Sequence, residues 1–131
     1  MDDHPHFQQN PHKGRPGLAH IWSAARYSRD GFCAAFKDEA AFRLILFEAL
    51  ILIPGALFFS QSHTTLILLI LPIFICLVVE LLNSAIENTL DRISLEIHPL
   101  TKKAKDMGSA AQFTAQFFLW FVWISYLILG H

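Results

Sequence analysis

The sequence predicts an all-α integral membrane protein: an N-terminal amphipathic surface helix followed by three transmembrane helices. Three observations carry that prediction. Of 131 residues, 53% are hydrophobic and the mean hydropathy is +0.40, more apolar surface than a soluble domain of this length needs. Apolar runs at 44–59, 66–90 and 108–130 approach or reach the length of about 20 residues that a spanning helix requires. The basic residues are gathered outside those runs, and the net charge of −1 gives no bulk field for nucleic acid.

The elements follow in order. Residues 1–17 read as a disordered polar tail with no signal-peptide core, and 18–131 as a single domain. From 18 to 38 the pattern is amphipathic. Leu18, Ile21, Trp22 and Ala25 oppose His20, Ser23 and Arg26, and Phe32, Ala35 and Phe36 oppose Lys37 and Asp38. This predicts a pair of interfacial helices broken at Gly31. The spans are placed at about 40–60, 66–91 and 107–129. Pro54 and Pro72 fall inside them, which membrane helices tolerate when neighbours satisfy the freed backbone. Cys33 and Cys76 lie in segments of different character, so no disulfide and no CxxC metal pair is expected.

Charge placement predicts orientation. Lys13, Arg15, Arg26, Arg29, Lys37 and Arg43 precede or open the first span, and Arg92, Lys102, Lys103 and Lys105 lie between the second and third. The loop 60–65 carries no Lys or Arg. The positive-inside rule then puts the N-terminus and the 92–106 segment in the cytoplasm and the C-terminus outside. Trp120, Trp123 and Tyr126 fit either an interfacial belt or packing within a bundle.

The segment "VELLNSAIENTLDR" places acids where the membrane should be. At 100° per residue, Asn83, Glu87 and Asp91 fall within about 60°, 20° and 20° of Glu80, with Ser84 beside them and Asn88 off the stripe. Glu80 and Glu87 are two turns apart, roughly 10 Å. A stripe that simply leaves the membrane near Ala85 explains Glu87 and Asp91 but not Glu80, because a charge inside a span costs several kcal/mol unless it is paired, hydrated or bound. A polar cleft at the membrane boundary, serving catalysis or ion transit, explains all four.

Two more pieces bear on that cleft. Glu39 and Arg43 stand at i,i+4, a spacing that predicts a helix-surface ion pair. Alternatively, Glu39 meets Glu87 across the cleft, and two carboxylates with phosphate oxygens are a usual way to hold Mg²⁺. Lys105 and Asp106 precede the third span, where Lys neutralises phosphate. Gly108, Ser109, Ala110, Ala111 and Ala115 permit close helix packing. There is no Walker A sequence and no GxGxxG, so any use of ATP needs another geometry.

Taken together, "YSRDGFCAAFKDEAAFR", "VELLNSAIENTLDRI" and "AKDMGSAA" resemble the small integral-membrane diacylglycerol kinases of Gram-negative bacteria over about residues 18–129. The resemblance implies a homotrimeric bundle in the inner membrane with active sites shared between subunits. It implies MgATP-dependent phosphorylation of diacylglycerol to phosphatidic acid. Position by position, Glu80 matches the catalytic base, with Asn83 beside the reacting groups, and Glu39 and Glu87 match the metal-holding carboxylates. Tyr27, Glu39, Glu87, Glu96, His98, Lys105 and Asp106 match nucleotide contacts. His20, Ala41, Phe42, Arg43, Glu80, Ser109 and Trp123 fall to the lipid side. The chain departs from the family at His20, usually Arg in enteric members, and at "AFRLI" where the family often reads "AFRQE". Glu48, about 180° from Glu39 on a straight helix, is assigned no role. Other readings are an undecaprenol kinase, which shares the acidic stripe, and a small ion- or proton-coupled transporter subunit.

Overall fold

The computed structural model describes residues 18–93 and 98–130. The tail expected at 1–17 and the expected nucleotide contact Glu96 lie outside the described residues. Four helices follow one another: α1 Leu18–Asp38, α2 Ala40–Phe59, α3 His63–Ile93 and α4 Pro99–Leu129. No strand occurs among the described residues. The chain divides into two compact units between Cys33 and Ala34.

In the first unit α1 is exposed on nearly all sides, including Ile21, Trp22 and Phe32. The expected break at Gly31 does not occur. The helix runs through it, and a side chain there would meet nothing within 4 Å. One exposed glycine costs a helix only about 1 kcal/mol, too little to interrupt flanking residues that propagate it. Cys33 is exposed and free.

In the second unit the break falls at Glu39, which adopts extended backbone (φ −106°, ψ 111°) between α1 and α2. Arg43 secures this junction. Its guanidinium donates to the carbonyls of Phe36 (2.9 Å) and Lys37 (3.0 Å), two of the acceptors a helix leaves open at its C-terminus. The ion pair between Arg43 and Glu39 allowed by their spacing is therefore not formed.

Helices α2, α3 and α4 are long and apolar enough to cross a membrane. At 1.5 Å per residue the 20 residues of α2 span about 30 Å, the thickness of the hydrocarbon layer. The 31 residues of α3 and of α4 reach about 46 Å, so both project well beyond that layer. α4 begins earlier than the apolar pattern suggests because the basic stretch is itself helical. His98 Nδ1 accepts from the Leu100 backbone N–H (3.2 Å), and Pro99 occupies the first turn. Between α2 and α3, Ser62 Oγ accepts from the Thr65 backbone N–H (3.1 Å) and caps α3.

The core is built from one face of each spanning helix: Ile45, Ala49, Leu52 and Ala56 of α2, Leu69, Ile73 and Cys76 of α3, and Ala115, Leu119 and Trp123 of α4. Pro72 is buried there too, and both prolines leave their helices continuous. Aromatic side chains lock the end near the α2–α3 loop. Trp123 Nε1 donates to the Leu69 carbonyl (3.1 Å), its ring lies against Gly55, and the Tyr126 hydroxyl donates to the Phe59 carbonyl (2.7 Å). Trp123 and Tyr126 therefore pack within the bundle, whereas Trp120 is exposed. Large apolar side chains such as Phe47, Phe58, Phe113 and Phe117 cover the outside, as a chain solvated by lipid requires.

Candidate active site

The polar stripe of α3 faces inward, toward α2 and α4. Its exposure is graded: Glu80 is 3% exposed, Ser84 is buried, Asn83 and Glu87 are half-buried, and Asp91 is exposed. A merely solvated stripe is thus excluded at Glu80. No described residue hydrogen-bonds the Glu80 side chain, which lies close enough to Glu39 and Glu87 to feel both charges.

Each flanking carboxylate is held by an amide. Asn83 Nδ2 donates to Glu87 Oε1 (3.2 Å), one turn along α3. Asn88 Nδ2 donates to both the Ser84 carbonyl (2.8 Å) and Glu39 Oε1 (3.2 Å), tying the head of α2 to α3. Asn88 was not legible as a site residue because it lies off the α3 stripe. It serves Glu39, at the break before α2, instead. Glu39 sits at the break between helices, so its carboxylate enters the site from a fixed corner rather than from a helix face.

Gly108 makes the approach of α4 possible. A Cβ there would collide with Asn83 Oδ1, so the Asn83 amide would have to move aside. Beyond Gly108 toward solvent, Lys105 Nζ pairs with Asp91 (2.6 Å) and Lys102 with Asp106. The bond to Asp91 raises the Lys105 pKa above its ordinary value, and the carboxylates of Asp91 and Glu87 add to it. Asp91 is thereby a partner to the α4 lysine rather than an isolated helix end.

The remaining expected residues divide into near and far. Ala41 and Arg43 are exposed on the first turn of α2, Phe42 is buried beneath them, and Ser109 is exposed next to Gly108. His98 caps α4 through its ring nitrogen. Trp123 lies fourteen residues beyond Ser109, about 21 Å along α4, and is 4% exposed in the core, so it is not brought to the acids. Tyr27 and His20 are exposed on α1 in the other unit. Glu48, which had no predicted role, accepts a hydrogen bond from Gln116 Nε2 (2.7 Å), an apolar-span pair 68 residues apart in sequence.

Among the described residues no three metal-ligating side chains converge. Glu39 and Glu87, each steadied by an amide donor, are two hard oxygen ligands. Such a pair fits Mg²⁺, which keeps water and phosphate oxygens for most of its octahedron. The fold and the site together define a multi-span α-helical membrane protein with an acid cluster at one end of its bundle.

Comparison with known proteins makes this specific. Residues 26–127 match the family model described as prokaryotic diacylglycerol kinase. The chain is 50% identical over 119 residues to the diacylglycerol kinase of Pseudomonas aeruginosa, covering 91% of this chain and 97% of that protein. It is 43% identical to that of Haemophilus influenzae (82% and 91% covered) and 44% identical to that of Escherichia coli K12 (72% and 78%). The chain belongs to the prokaryotic diacylglycerol kinase family.

Proposed function

We propose that this protein transfers the γ-phosphate of ATP to the free hydroxyl of diacylglycerol, giving phosphatidic acid. The observation that carries the reading is the Glu80 carboxylate, 3% exposed, without a hydrogen-bond partner among the described residues, and flanked by Glu39 and Glu87. Family membership supports the substrate class.

Phosphoryl transfer needs an aligned nucleophile and neutralised phosphates more than covalent help. Glu80, the deeper acid, accepts the proton of the lipid hydroxyl as the oxygen attacks phosphorus and ADP departs. Asn83 fixes Glu87 and lines the space next to Glu80. Glu39 and Glu87 would hold Mg²⁺, which when bound would supply charge neutralisation for the transferring phosphoryl group. Lys105 adds a cation at the mouth of the site, and Asp106, His98, Glu96 and Tyr27 belong to the nucleotide side. His20, Ala41, Phe42, Arg43 and Ser109 belong to the lipid side, with Trp123 shaping the core below. The lipid arrives from the bilayer and ATP from the cytoplasm. The site faces the cytoplasm from the inner membrane, the C-terminus lies in the periplasm, and a homotrimer with shared sites completes the enzyme.

The test is a phosphorylation assay on purified protein with MgATP, offering diacylglycerol and undecaprenol side by side. Labelled phosphatidic acid is the expected product, and its formation requires Mg²⁺. Preference for the polyprenol would overturn the lipid assignment. Ion flux in proteoliposomes without ATP turnover would overturn the kinase.

A further inference from the structure

Glu80 is 3% exposed with no hydrogen bond from any described residue. Two fully covered side-chain atoms also lack partners among the described residues, Asn83 Oδ1 on α3 and Gln112 Oε1 on α4. Gln112 belongs to the inward row of α4 with Gly108, Ala115, Leu119 and Trp123, while Phe113 and Phe117 point outward.

The register of α3 and α4 sets Gln112 level with Glu80. The helices run antiparallel and are pinned at two places, Gly108 against Asn83 and Trp123 Nε1 on the Leu69 carbonyl. One turn inward from Gly108 on α4 is Gln112. One turn inward from Asn83 on α3 is Glu80. An orphaned polar atom costs about 1–3 kcal/mol, and no bulk water reaches a bundle interior to relieve it.

The chemistries are complementary. An amide has an acceptor and two donors whose positions exchange by rotation about one bond. An ionised carboxylate takes an amide N–H, and a protonated one gives its O–H to the amide oxygen. Asn83 Nδ2 is committed to Glu87 (3.2 Å), while its Oδ1 is covered and unpaired, so a protonated Glu80 that turned to Asn83 instead would show no dependence on Gln112. The charges that reach Glu80 are those of Glu39 at the head of α2 and Glu87 on α3, and Glu48, farther along α2, is engaged by Gln116. The inward row of α4 carries no charge from Gly108 to Trp123.

We propose that Gln112 is a positioning residue for Glu80, aiming the carboxylate at the lipid hydroxyl and then accepting the hydrogen bond of the protonated carboxyl. In the step, the lipid O–H bond breaks and its proton forms an O–H bond on Glu80. The lipid oxygen bonds phosphorus, and the bond from phosphorus to the ADP oxygen breaks. The new Glu80 O–H then points to Gln112 Oε1. This rests on the reading of Glu80 as base, whereas the contact itself does not.

The experiment has two arms, both on the full-length protein in lipid. Infrared spectra at a pH low enough to protonate Glu80 identify its carbonyl stretch as the band lost in Glu80→Gln. In Gln112→Met, a volume-matched apolar swap, that band moves to higher wavenumber as its hydrogen bond is lost. Gln112→Leu serves if the first variant does not fold. A band that does not move overturns the contact, whatever Glu80 does. In the kinetic arm kcat falls about fivefold to tenfold, one hydrogen bond's worth, with KM for ATP and for lipid unchanged. An unchanged kcat, or a loss confined to KM or to thermal stability, overturns the positioning role. Full activity in Glu80→Gln would instead sink the base assignment and leave the infrared result standing.

Discussion

The two ends of the three-helix bundle are built from the same helices on opposite principles. Near the α2–α3 loop, the contacts are dry: Leu69, Ile73 and Leu119 are at most 1% exposed, and Trp123 fills the space over Gly55. At the other end, Asn83 holds Glu87 and Asn88 holds Glu39 by amide–carboxylate bonds, Gly108 lets α4 close on Asn83, and Asn83 Oδ1 and Gln112 Oε1 stay unpaired. One end holds the helices together. The other leaves polar groups short of partners that a substrate can supply, a local exception that a stable scaffold can carry at a functional site. In both ends a glycine permits the close approach, but at Gly55 its neighbour is an aromatic ring and at Gly108 a polar side chain.

Breaking each end should therefore give different losses. The largest effect is expected from Glu80→Gln, which should lower kcat by about a hundredfold or more while the helical circular dichroism is unchanged. Trp123→Ala should act on the dry end, lowering stability by about 3–5 kcal/mol in denaturant titration while the protein that remains folded keeps its kcat. Gly108→Ala sharpens the contrast. Its Cβ would displace Asn83 Oδ1 and with it the hold on Glu87, for a loss of up to about a hundredfold in kcat/KM with stability less affected than in Trp123→Ala. The smallest effect is expected from Asn88→Ala, which frees Glu39. The Mg²⁺ concentration for half-maximal activity should rise about tenfold with kcat at saturating Mg²⁺ little changed. Equal losses of stability from the Asn88 and Trp123 variants would erase the distinction between the ends.

Much of the acid end is legible in the sequence. Helical periodicity alone put Glu80, Asn83, Glu87 and Asp91 on one face, and the small residue at 108 marked where α4 comes close. The positions of the spans followed from apolar length. The surface-helix pair was not right, because a glycine is a weak breaker and the junction was made by the Arg43 guanidinium on the Phe36 and Lys37 carbonyls, a contact six and seven residues long that spacing rules do not flag. Asn88 and Gln116 were missed for a related reason. Each serves an acid outside its own helix, 49 and 68 residues away, and single-helix geometry carries no information about such partners.

The sequence by itself determined which segments are helices, which of them suit lipid, and which face of α3 carries acids, because those depend on periodicities of a few residues. Tertiary structure alone decided which acids share a site. It set Glu39 against Asn88 and seated Asn83 on Gly108. Those juxtapositions depend on the register between antiparallel helices, and register is fixed only when distant side chains pack together.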